Sequence, residues 1–129
     1  APTLWPSERK ARAEARAIAS EMHAGFPSLR QEMPLDVRAS LPYPPLSSEA
    51  KADVARVIAI WEDCRRRYGL KGPFLFGHFT NADAMYAPVV FRFQTYCIEL
   101  PEASRRWSDT MLALPAMQEW HQAAAAEPN

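Results

Sequence analysis

The chain has 129 residues, 48% of them hydrophobic, which supports one domain with a real core and hardly two. Its 15 Lys plus Arg balance 15 Asp plus Glu, so no net field favours nucleic acid, an anionic membrane or an acidic partner. Cys64 and Cys97 fall in predicted apolar helix faces with no Cys-x-x-Cys pair and no secretory leader, so two buried thiols in a reducing, cytoplasmic setting are expected.

The chain opens at Ala1-Pro2 without a Met, as a piece of something longer or a processed product would. Leu4-Trp5-Pro6 leads into Ser7, the expected N-cap of a long first helix in a stretch rich in Ala, Arg and Glu. Its apolar stripe is Ile18, Met22, Phe26, Leu29 and Met33, while Glu8, Arg9, Arg12, Glu14 and Arg16 belong mostly to a solvated face. Gly25 and Pro27 interrupt it, which predicts a kink near residues 22–26. Such a kink can open a pocket, although bending to fit the core is the plainer reading.

Leu41-Pro42-Tyr43-Pro44-Pro45-Leu46 reads as a stiff, extended connection, preferred over a ligand for proline-recognising domains at Pro42-x-x-Pro45. Ser47 or Ser48 caps a second helix through Tyr68, with Val54, Val57, Ile58, Trp61, Cys64 and Tyr68 on one face. Gly69 stops it, and Arg65, Arg66 and Arg67 in its last turn suit the dipole and are read as solvated. Residues 72–78, bounded by Gly72-Pro73 and Gly77, form a packed loop rather than a strand, since no partner strand is predicted.

That loop delivers Phe79 and Thr80 to the start of a central helix. Thr80 with Asp83 three residues on fits a capping box, and no residue from Ala84 to Phe91 is charged, so this helix should be buried on nearly all sides. The run is too short to span a membrane, which takes about 20 apolar residues. Pro88 predicts a bend within it. Pro101 and Glu102 open a fourth helix carrying Trp107, Met111 and Leu112, Pro115 opens a fifth carrying Met117 and Trp120, and the tail from Ala123 should fray. The expected fold is all-α, a bundle of about five helices around the buried helix starting at Thr80, in one domain over residues 1–129.

His23, His78 and His121 have no spacing that joins them to each other or to cysteines, so no metal site is expected. Nucleotide-binding glycine loops and the Gly-x-Ser-x-Gly turn are absent. What remains is a helical wall of Met22, Phe26, Tyr86 and Phe93, with His23 and Arg30 as nearby polar groups. Such a wall suits an apolar ligand, though a Met and aromatic stripe at this spacing is ordinarily plain core.

Glu21-Met22-His23 with Gly25-Phe26 and Leu29-Arg30, Leu4-Trp5-Pro6, and Phe74-Leu75-Phe76-Gly77 leading into Phe79-Thr80-Asn81-Ala82-Asp83 resemble the C-terminal all-helical domain of cytosolic, bacterial-type glutathione transferases. The resemblance spans nearly the whole chain. It implies that Thr80 and Asp83 serve folding as the capping box of the central helix. It also implies a preceding thioredoxin-like domain that binds glutathione as co-substrate and carries the thiol-activating residue. This chain by itself would then bind no cofactor, carry no catalytic residue and be inactive.

By the same resemblance the helical domain supplies the wall for a small apolar electrophile (the H-site) and much of a homodimer interface. Met22, His23, Phe26, Arg30, Tyr86 and Phe93 are the implied wall, and Arg30 would pair with a carboxylate unless a surface ion pair takes it. A role in detoxification follows for the parent protein. Two other readings are a stand-alone helical protein–protein interaction module without transferase activity and a passive carrier for apolar ligands.

Overall fold

The computed structural model describes residues 4–34 and 45–126. Among them are six α-helices: α1 (Arg9–Ala24), α2 (Pro27–Glu32), α3 (Ser48–Tyr68), α4 (Asn81–Thr95), α5 (Glu102–Leu112) and α6 (Pro115–Ala126), with a 3₁₀ turn at Gly69–Lys71. The proline-rich connection at residues 41–44 lies outside the described residues.

The expected first helix is two helices. Pro27 disfavours helical backbone in the residue before it, and Phe26 leaves the helix for the left-handed region at φ 60°. Pro27 then starts α2, where its missing N–H costs nothing. The N-cap of α1 is Glu8 rather than Ser7, because the longer carboxylate reaches the N–H groups of both Lys10, at 3.0 Å, and Ala11, at 2.7 Å. The buried residues of α1 are Ala11, Ala15, Ala19 and Met22. Ile18 is only half-buried, and its carbonyl accepts the Tyr86 hydroxyl at 2.9 Å.

Three helix starts are capped by carboxylates from other helices. Asp53 of α3 accepts the Leu29 N–H of α2 at 3.0 Å. Glu32 of α2 accepts the N–H of Ser47 at 2.9 Å and its hydroxyl, while Ser47 caps α3 through the Ala50 N–H. Glu62 of α3 accepts both the N–H and the hydroxyl of Ser104, at 2.8 and 2.7 Å, standing in for a side-chain cap that Pro101 cannot supply to α5. Each acid satisfies orphan donors and opposes the positive end of a helix dipole, so it fastens one helix to another.

The loop between α3 and α4 is closed by Phe74 and Gly77, which exchange backbone hydrogen bonds at 3.1 and 3.0 Å. Gly72 is required: at φ 157°, a Cβ there would stand 2.2 Å from the Gly77 carbonyl oxygen. Arg65, expected to be solvated, instead donates to the carbonyls of Gly72 at 2.8 Å and Phe74 at 2.6 Å. Arg66 and Arg67 reach outward to Asp63, and Arg67 also to Glu14.

The capping box of α4 is formed as expected. The Thr80 hydroxyl accepts the Ala82 N–H at 3.2 Å, and the Asp83 carboxylate accepts the Thr80 N–H at 2.8 Å. Asp83 is fully buried and does more: it accepts the Leu75 N–H at 3.0 Å and the Trp107 indole N–H at 2.9 Å. Burial pushes its carboxyl above the ordinary value, and these donors pull the other way.

Helix α4 runs unbroken through Pro88 and is buried on most sides, its exposed early positions being Ala84 and, in part, Met85. At the centre Trp61 packs against Trp107, Phe93 and Tyr86, with ring centroids 4.6, 5.3 and 6.1 Å apart. Phe91 meets Trp120 of α6 edge to face at 4.8 Å, and α6 stays helical to Ala126 where small residues predict fraying. Cys64 is buried, its thiol pushed up to about 12 by that burial. Cys97 is exposed, contrary to expectation, because α4 ends at Thr95 and Cys97 takes the left-handed position of a Schellman turn.

Asp83→Ala leaves the Leu75 and Trp107 donors buried without acceptors and should cost about 3–5 kcal/mol in urea unfolding; a loss under about 1 kcal/mol would show that Asp83 does not hold loop, cap and α5 together. Acid should also weaken the fold. Arg67 holds Glu14, Arg56 holds Glu21 and Ser47 holds Glu32 below the ordinary 4.5, so the stability they contribute is present above that value and lost as pH falls through their lowered values. Asp83 acts in the opposite sense, its raised carboxyl favouring the fold as pH falls. The three acids should prevail, with the urea midpoint dropping between about pH 5 and pH 3 and dropping less in Glu14→Gln. A flat midpoint would contradict this.

Candidate functional site

Between the second half of α1 and the first turn of α4 lies a groove of about 690 Å³. Two local patterns create it. On α1, Arg16, Ala19, Ser20, His23 and Ala24 recur at spacings of three and four and so share one edge of the helix. On α4, Asn81, Ala84 and Met85 do the same beside the capping box, which fixes where that helix begins. Trp5 closes one side, held by the Arg16 guanidinium 5.5 Å above its ring and by the preceding Leu4 carbonyl, which accepts the Asn81 N–H at 2.8 Å.

The groove is floored by alanines and Met85, with Arg16, Ser20, His23 and Asn81 as its hydrogen-bonding groups. That is the make-up of a binding site: apolar surface with a few polar groups to orient a ligand. No cluster of His, Cys, Asp or Glu suited to a metal ion occurs among the described residues. Nor is any described helix long and apolar enough to cross a membrane.

A second hollow, of about 650 Å³, lies among α3, the 3₁₀ turn and α5. Its charged groups already have partners: Glu62 holds Ser104, Arg65 the loop carbonyls, Asp63 both Arg66 and Arg67, and Arg106 Glu102.

Of the six residues expected on a ligand wall, the structure brings His23 alone into the groove. Met22, Phe26, Tyr86 and Phe93 lie in the core, each no more than 6% exposed, and Tyr86 and Phe93 pack on Trp61. Arg30 stands apart, half-buried, donating to the Gly25 carbonyl and close enough to Arg92 that its charge adds to the burial that lowers the Arg92 guanidinium pKa. The aromatic and sulfur stripes face inward because the apolar face of a helix is the one buried, leaving the neighbouring edge for the groove.

Trp5, Arg16, Ser20, Asn81 and Met85 are the groove residues that sequence reasoning passed over. The spacing of Arg16, Ser20 and His23 carries the signal, a polar row flanking the buried alanines.

The core and groove assignments separate experimentally. Tyr86→Phe should lose about 1 kcal/mol with its hydrogen bond, Phe93→Ala about 3–5, and His23→Ala less than about 0.5. Thermal or urea unfolding measures all three, and a His23 loss as large as that of Phe93 would reverse the assignment.

Against protein-family models, the one for the glutathione S-transferase C-terminal domain matches residues 11–123. No curated protein matches the chain.

Proposed function

From the premise that this chain belongs to the glutathione S-transferase C-terminal domain family, we propose that it is the co-substrate-binding and dimerisation domain of a glutathione transferase. In this reading the α1–α4 groove is the wall against which an apolar electrophile is held. The observation that carries it is the groove itself: an apolar floor with four polar side chains, built on the capping box and closed by Trp5, in a chain of this family.

A thioredoxin-like domain would bind glutathione and lower the pKa of its thiol, and the thiolate would attack the electrophile on this wall. The present chain contributes position and shape, since bringing the electrophile within reach of the thiolate is itself a large part of the acceleration. His23 is the wall residue kept from the six expected, and Met22, Phe26, Tyr86 and Phe93 set the wall's shape from behind. A cytoplasmic homodimer engaged in detoxification is the setting proposed for the parent protein.

Titration of the chain with glutathione and with an unreactive naphthalene, read by chemical-shift perturbation, tests this proposal. Glutathione should leave the spectrum unchanged, and naphthalene should bind with a Kd on the order of 1 mM, shifting Trp5, His23 and Met85. Tight glutathione binding would put a thiol site in this chain and end the division of labour proposed. Silence towards both would favour a helical interaction module.

A further inference from the structure

A third hollow, of about 450 Å³, lies between the turn that ends α4 and one face of α5, and it shares no residue with the α1–α4 groove. We propose that it binds an apolar α-amino acid in its zwitterionic form. On α5 it is lined by Arg105, Ser108, Asp109 and Leu112, whose helical spacing puts them on one side of the helix. Ile98, Glu99 and Leu100 form the facing wall. They are placed there by the Schellman turn at Cys97, in which the Ile98 N–H donates to the Phe93 carbonyl at 3.0 Å.

Ser108 is the residue that points to an occupant. It is only 6% exposed, yet its hydroxyl makes no hydrogen bond among the described residues. The buried side chains of Thr80, Asp83 and Ser104 all have partners within the protein. The side-chain atoms fully enclosed without a partner are Arg30 Nε and Trp61 Nε1, so Ser108 differs from them in opening onto a hollow. A buried hydroxyl left unpaired is costly, and a ligand in this hollow supplies the missing bond.

The charges around Ser108 call for both signs at once. Arg105 and Asp109 are exposed and make no ion pair or side-chain hydrogen bond among the described residues. Glu102 and Arg106, at the same spacing on the same helix, do pair. Acid before base is the favourable order along a helix, and Arg105 precedes Asp109 in the weaker one. One turn apart, with about 6 Å between β-carbons, the two reach a carboxylate and an ammonium carried on a single carbon. Glu99 adds a second acceptor for the ammonium, which has three donors. An amine without a carboxylate leaves Arg105 unused, and a carboxylate without an amine meets two acids. The ligand's apolar side chain then lies on Ile98, Leu100 and Leu112, all half-buried.

L-phenylalanine, phenethylamine and 3-phenylpropionate share one ring and chain and differ in charge, so titrating each into the chain and following chemical shifts tests the proposal. L-phenylalanine should bind with a Kd on the order of 1 mM, shifting Ile98, Ser108 and Leu112. It should bind about fivefold more tightly than either analogue. Arg105→Gln should erase its advantage over phenethylamine, and Asp109→Asn should reduce its advantage over 3-phenylpropionate; both positions are exposed, so both variants keep the fold. Ser108→Ala should weaken binding about fivefold. An analogue that binds as tightly as L-phenylalanine, or a preference unchanged in both exposed variants, overturns the proposal. So does the absence of shifts at these residues with every probe, an outcome that leaves the α1–α4 groove, read by naphthalene at Trp5, His23 and Met85, untouched.

Discussion

A single buried carboxylate, Asp83, ties together the start of α4, the loop before it and α5. It accepts from Thr80 at the helix cap, from Leu75 in the loop and from the Trp107 indole. A carboxylate offers two oxygens and several lone pairs, so it can serve all three where an amide or hydroxyl could not. The cost of burying it is offset only when those donors are all in place, which makes the arrangement cooperative. Trp107 in turn lies against Trp61, so the polar knot is continuous with the aromatic centre of the core.

The groove depends on the same knot. The first turn of α4 holds Asn81, Ala84 and Met85 at the groove and Ala82, Asp83 and Tyr86 in the interior, a division set by where the cap starts the helix. A shift of one residue in that start would rotate the turn by about 100° and exchange lining for core. On the other wall, alanines 11, 15 and 19 are buried while the polar row of Arg16, Ser20 and His23 remains outside. Carboxylates reaching between helices, Asp53 to α2, Glu32 to Ser47 before α3 and Glu62 to α5, fix the starts of those three helices in the same manner.

The polar chemistry of this domain is thus spent on holding helices in position, and what faces the groove is shape with a small number of donors. That division agrees with a domain that positions a co-substrate for a reagent supplied from elsewhere. Cys64 is buried, where its thiolate is disfavoured.

Local rules sufficed for the all-helical class, the capping box at Thr80 and Asp83, the Ser47 cap, the loop at residues 72–78 and the starts of the last two helices. Each depends on residues within a few positions of one another, so the sequence by itself determined them. Tertiary packing decided the rest. It took Tyr86 and Phe93 for the core, gave Arg65 to the loop carbonyls, divided the first helix at Phe26 and left Cys97 exposed in the turn after α4. Helical spacing shows that apolar residues share a face; it does not show which edge of that face a neighbour leaves open, because that depends on the angle and closeness of two helices distant in sequence. The groove between α1 and α4 is such an edge, and only packing revealed it.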